Sequence, residues 1–334
     1  MSENKASVPF LEVRDLIVEY TSGKQRIHAV NDVSFTLEKG RSLGLVGETG
    51  AGKTTIAKTI LRILPDHGAK IRAGQVLLEG KDLLAESEAS MRSIRGNDIA
   101  MIFQDPMTAL NPIMRVGNQI TESVLHHSDL NRSDAEKRAV EMLEMVGIPA
   151  ERFGEYPHQF SGGMKQRVVI AMALACSPAL LLADEPTTAL DVTIQAQVLD
   201  MIAKLKEKLG TSMILITHDM GVVASTCDDV AIVYAGQIVE YGTLEQVFDH
   251  PSHPYTKGLF AAIPSMNTDQ EYLNPIEGLP PDPASLPQGC YFSPRCKYAT
   301  EACHREMPPE IRTPDGHLCR CARCNEINDG GEQA

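Results

Sequence analysis

Gly47-Glu48-Thr49-Gly50-Ala51-Gly52-Lys53-Thr54 fits the pattern G-x-x-x-x-G-K-[ST], and the rest of the chain reads outward from it. Its glycines allow the backbone to curl so that successive N–H groups point inward, a shape suited to an anion. The short apolar run Ser42 to Val46 precedes it and predicts a buried strand. Thr54 to Leu64 follows with a helical pattern whose positive N-terminus would face the same cavity. In that setting Lys53 supplies a point charge to the β- and γ-phosphates of a nucleotide, and the Thr54 hydroxyl is placed to ligate Mg²⁺. Thr55, directly after the loop, is expected to bind the nucleotide with it.

A partner for this loop comes later, where Leu180-Leu181-Leu182-Ala183 ends in Asp184-Glu185. A buried strand that ends in two carboxylates puts them at the sheet edge where α/β proteins bind ligands. Asp184 is suited to the Mg²⁺ shell, and Glu185 to orienting and polarising an attacking water, because phosphoryl transfer needs positioning and charge stabilisation.

Around these two motifs the pattern is α/β. Phe10 to Leu37 alternates with period two and predicts a small antiparallel layer. Strand signals at 74–78, 99–103, 179–183, 212–217 and 230–234 alternate with helical stretches such as Ile194 to Leu209, implying a parallel sheet covered on both faces. Residues from about Pro112 to Ala175 read as an all-helical insertion. Beyond Gln246 the prolines crowd, and a small loop-rich appendage is expected, held together by something other than a large core. The polar end, Asn325 to Ala334, reads as disordered.

Composition limits the function. With 43% hydrophobic and 22% charged residues the chain reads as soluble and globular. It has no apolar run of the roughly 20 residues needed to cross a bilayer, and MSENKASVPF lacks the features of a signal peptide, so a cytoplasmic protein is expected. A net charge of -13 disfavours binding to nucleic-acid phosphates. Six of the eight cysteines fall between Cys290 and Cys324, a clustering that in a cytoplasmic chain suggests metal ligation more than disulfides.

Phe160-Ser161-Gly162-Gly163-Met164-Lys165-Gln166-Arg167 resembles the signature motif of ABC ATPases, and Leu11 to Phe248 follows that family's order of motifs. The resemblance implies a P-loop NTPase core with an antiparallel β subdomain and a helical insertion, over 10–248. It also implies that Ser161, Gly162 and Gly163 bind the γ-phosphate of an ATP held by the opposite subunit, so that two ATPs are sandwiched in a dimer. By the same resemblance Tyr20 stacks on adenine, and Gln104 is the lid glutamine that contacts metal and water. Asp191 lies in the loop between the two sites, and His218 is the switch histidine at the γ-phosphate. Phe160 and Met164 depart from the commonest form of the signature while Ser-Gly-Gly is intact.

Two further stretches, 101–112 and 248–259, resemble the ATPase subunits of dipeptide and oligopeptide importers. That branch implies an ATP-driven, Mg²⁺-dependent importer of peptides or related solutes, working at the cytoplasmic face of the inner membrane as a peripheral subunit. Its partners would be a second, related ATPase subunit, two transmembrane permeases and, indirectly, an extracytoplasmic binding protein. Cys290, Cys296 and Cys303 resemble the importer ATPases' C-terminal region, here 249–324, that holds a four-iron four-sulfur (4Fe-4S) cluster, with Cys319 as fourth ligand and zinc as the alternative. The other reading is a soluble ABC ATPase of translation or DNA repair. Against it stand the absence of a second ATPase half and of an interrupting coiled coil.

Overall fold

The computed structural model describes residues 8–188, 190–262 and 275–329. Near the N-terminus, β1 (Leu11–Ser22) and β2 (Gln25–Leu37) pair antiparallel, as their alternation predicts. The inward set of β1 changes parity: Leu11 and Val13 are buried, then Leu16 and Val18. The register shift between Val13 and Leu16, where Asp15 takes a positive φ of 46°, absorbs the extra residue and keeps the apolar side chains on one face.

After β3 (Ser42–Val46), β4 (Ala69–Leu78) and the short β5 (Lys81–Asp82) complete a four-stranded sheet of order β2-β1-β4-β5. The remaining strands are β6 (Ile99–Ile102), β7 (Leu180–Asp184), β8 (Ser212–Thr217), β9 (Asp229–Tyr234), β10 (Gln237–Thr243), β11 (Ile311–Arg312) and β12 (Leu318–Cys319). With β3 they form a second sheet of order β11-β12-β10-β9-β3-β8-β7-β6. From β9 through β3 to β6 every pairing is parallel, whereas β10, β12 and β11 join antiparallel.

The parallel strands are apolar throughout because both faces are covered. Leu180 and Leu182 face a core shared with β1, β2 and the helix Lys53–Ile60, while Leu181 and Ala183 face a core shared with the helical insertion. The insertion is built from Val116–His127, Arg132–Met145 and Gly162–Leu174, with Leu143 and Val146 buried where helical spacing puts them. Among the described residues no helix is long and apolar enough to cross a membrane.

Three expectations are corrected. The helix after the phosphate loop ends at Ile60 instead of Leu64, because Arg62 turns to a φ of 52° and the chain leaves the helix. The C-terminal region shares the main core: β12 pairs with β10, Phe292 is buried in the larger cluster, and its ring packs 5.2 Å from Tyr234 and 5.4 Å from Tyr255. The buried Glu240 carboxylate adds to this junction, accepting from the backbone of Ser252 at 2.7 Å and of His253 at 2.9 Å, and pairing with His317 Nε2 at 2.8 Å. The tail expected to be disordered begins with a helix, Cys324–Asp329; residues 330–334 lie outside the described residues.

Candidate active site

The phosphate loop runs from the C-terminal end of the central strand β3 into the helix Lys53–Ile60. Two of its glycines are required by close approach. A Cβ on Gly47 would lie 2.0 Å from the Val233 carbonyl oxygen, and one on Gly52, at a φ of 101°, would lie 2.3 Å from that of Ala29. Gly47 and Ala51 are buried, while Thr49 and Gly50 form the exposed rim. Lys53 is 5% exposed and turns back into the loop, donating from Nζ to the Gly47 carbonyl at 2.6 Å and the Glu48 carbonyl at 2.9 Å. Burial lowers its pKa, and the carboxylates of Glu185, Asp184 and Glu48 oppose that.

Thr54 Oγ1 donates to Asp184 Oδ1 at 3.0 Å, joining the loop to the strand-end carboxylates. Burial raises the Asp184 pKa; the Thr54 hydrogen bond opposes this and the neighbouring Glu185 adds to it. Glu185 takes a left-handed φ of 45°, held by its N–H donating to the Ile216 carbonyl at 2.9 Å. Its carboxylate gathers three partners. Gln104 Nε2 and Thr188 Oγ1 both donate to Oε2 at 2.9 Å, and His218 Nδ1 lies 3.2 Å from Oε1. Burial pushes the Glu185 pKa up, but the hydrogen bonds from His218 and Thr188 prevail and hold it below the usual value.

Lys53, Thr54, Gln104, Asp184, Glu185 and His218, drawn from distant parts of the sequence, therefore meet at the C-terminal ends of β3, β6, β7 and β8. Thr188, on the turn three positions after Glu185, joins them through its hydroxyl, a role for which a threonine in a turn carries no sequence signal. Tyr20, half-buried at the end of β1, brings its hydroxyl to 3.4 Å from Thr55 Oγ1, beside the loop.

Ser161, Gly162, Gly163 and Asp191 belong to a second cleft of ≈ 570 Å³ that also involves Met164, Arg167 and Leu190; Lys53, Asp184 and Glu185 are not among its walls. Ser161 caps the helix Gly162–Leu174, accepting from Met164 N at 3.4 Å, and Asp191 caps Val192–Leu209, accepting from Ile194 N at 3.0 Å. The signature thus opens a helix whose first N–H groups face a cleft separate from this chain's own carboxylates.

The cysteines depart from the expected set. Cys290, Cys296, Cys303 and Cys321 line one small, largely apolar cavity, whereas Cys319 sits in β12 with its thiol turned to Cys324. Cys321, two residues beyond Cys319 and past the end of β12, is the fourth thiol lining this cavity. Among the described residues no three His, Cys, Asp or Glu side chains converge at the spacing of a single metal ion.

Residues 30–188 match the sequence model of the ABC transporter, and residues 239–303 that of the oligopeptide/dipeptide transporter C-terminal region. The oligopeptide transport ATP-binding protein OppD of Bacillus subtilis is 49% identical over 93% of this chain and 87% of its own length. The chain belongs to the family of oligopeptide and dipeptide transport ATP-binding proteins of ABC transporters. Two more relatives in this family are the dipeptide transport ATP-binding protein DppD of B. subtilis, 49% identical over 93% of both chains, and OppD of Haemophilus influenzae, 48% identical over 94% of this chain and 97% of the relative. The fold of this ABC ATPase is that of the cassette MJ0796, solved as a dimer after hydrolysis with ADP and Pi (TM-score 0.63, 25% identity, 70% of this chain and 98% of the other). It also resembles cbiO1 of Clostridium perfringens, part of an ABC transporter complex (TM-score 0.62, 26% identity, 72% of this chain and 91% of the other).

Proposed function

We propose that this chain binds and hydrolyses ATP to power an ABC importer of dipeptides, oligopeptides or related small solutes, as a peripheral subunit on the cytoplasmic face of the inner membrane. The observation that carries this reading is Glu185, strained at the end of β7 and held by Gln104, Thr188 and His218, one residue from the Asp184–Thr54 pair. Lys53 exchanges its loop carbonyls for the β- and γ-phosphates. Thr54 and Asp184, with Gln104, are the oxygen donors that suit Mg²⁺, which when bound neutralises charge on the transferring phosphate.

Glu185 orients and polarises the attacking water, with His218 and Gln104 fixing its carboxylate. Tyr20 offers a ring for the adenine. Ser161, Gly162 and Gly163 of each subunit complete the site of the other, and Asp191 lies between the two. The partners follow: a second, related ATPase subunit giving a heterodimer, two permeases moved by closure of the dimer, and a binding protein that delivers the solute. The four-iron four-sulfur reading, with zinc as the alternative, is kept with Cys321 in place of Cys319, on the observation that four thiols line one apolar cavity. Visible absorption bleached by dithionite supports it, and a colourless anaerobic preparation with stoichiometric zinc opposes it.

The deciding experiment is uptake of labelled di- and tripeptides into proteoliposomes holding the assembled transporter. Uptake should require ATP inside and fall to background with Lys53→Ala in this chain. Full uptake by that variant would refute the motor role.

A further inference from the structure

Glu48, the second residue of the phosphate loop, is held at four atoms, and two of its partners come from beyond Pro254. Its carbonyl accepts from Lys53, and its N–H donates to the buried Tyr255 hydroxyl at 3.1 Å. Its carboxylate receives a two-pronged bond from Arg295, Nη1 to Oε2 at 2.8 Å and Nη2 to Oε1 at 3.0 Å. Arg295 is fixed in turn: its side chain is 5% exposed, Nε donates to the Glu277 carbonyl at 3.0 Å, and Nη1 lies 3.4 Å from the Tyr234 hydroxyl. Tyr234 and Tyr255, with rings 4.6 Å apart, join Phe292 in the apolar cluster behind it.

The paired, planar geometry of this bond fixes direction as well as distance, which a lysine could not do. A glycine-rich loop has many conformations to lose on gripping a polyphosphate, so a tether that restricts it beforehand favours binding. A loop carboxylate also opposes an incoming anion, and the guanidinium beside it cancels that charge.

We propose that Arg295 is a positioning residue for the phosphate loop: through Glu48 it presets the anion-cradling shape, so that ATP affinity depends on the cysteine-rich C-terminal region. The proposal rests on reading the Lys53 loop as the ATP site. It assigns no contact with the reacting atoms, so Arg295 acts on nucleotide affinity and leaves Glu185, Gln104 and His218 undisturbed.

The test is Mg-ATP binding by the full chain, by calorimetric titration, for wild type, Lys53→Ala, Arg295→Ala, Arg295→Lys, Glu48→Gln and the Arg295→Ala/Glu48→Gln double variant. Arg295→Ala should bind about tenfold more weakly and Arg295→Lys should fall between it and wild type. The double variant should bind no more weakly than Arg295→Ala alone, because both changes cut one link. In the assembled transporter the KM for ATP should rise by a similar factor with kcat within about twofold. Wild-type affinity in the Arg295 variants, losses that multiply in the double variant, or a fall in kcat at constant KM would each overturn the proposal. Should Arg295→Ala not fold, Arg295→Lys decides, since it must weaken binding. If Lys53→Ala binds normally, the phosphate-site reading fails and the proposal with it; if only the Arg295 variants bind normally, the proposal alone fails.

Discussion

Glu185 is the residue on which the proposed chemistry turns. Its φ of 45° is costly for a residue with a Cβ and is offset by the backbone bond to Ile216 and the three side-chain partners. Glu185→Gln keeps the shape and removes the charge that polarises water. ATP binding should persist while phosphate release in the assembled transporter falls by about 10²–10⁴-fold. A loss under tenfold would take the catalytic role away from Glu185. Its motif was legible as a pair of carboxylates after an apolar strand. Thr188 was not, because a threonine in a turn carries no signal until its hydroxyl is seen on the carboxylate.

The C-terminal elements make two predictions at the scale of a helix and its neighbours. Phe292 is 4% exposed and fills the space between Tyr234 and Tyr255, so Phe292→Ala should destabilise the chain by about 3–5 kcal/mol, read by chemical denaturation. His253 caps the helix Pro254–Ala261 through Nδ1, which accepts from Tyr255 N at 3.1 Å. Burial lowers its pKa from 6.5 to about 4, against the opposing Glu240 carboxylate and the Arg320 carbonyl. The unfolded chain therefore takes up this proton first as pH falls. The stability that neutral His253 contributes is complete above pH 6.5 and drains away towards pH 4, by about 2 kcal/mol at pH 5. Denaturation at pH 7 and pH 5 should show that difference in the wild type and much less of it in His253→Asn; an equal slope in both would place the titration elsewhere.

For the whole molecule, the separation of the signature cleft from the carboxylate site argues for assembly. Ser161→Arg should leave this chain's own ATP affinity within about twofold, while nucleotide-driven association with a second ATPase subunit, followed by light scattering, is lost; intact association would refute the shared-site reading. The sequence by itself determined the phosphate loop, the carboxylate strand, the parallel core and the family, because each is written in contiguous residues whose spacing reflects backbone geometry. Only the tertiary structure decided that β12 extends the main sheet, that Cys321 and not Cys319 joins the other three thiols, and that Arg295 reaches Glu48. These depend on which faces of distant segments meet, and a two-residue strand or a single arginine has no period from which its partner could be read.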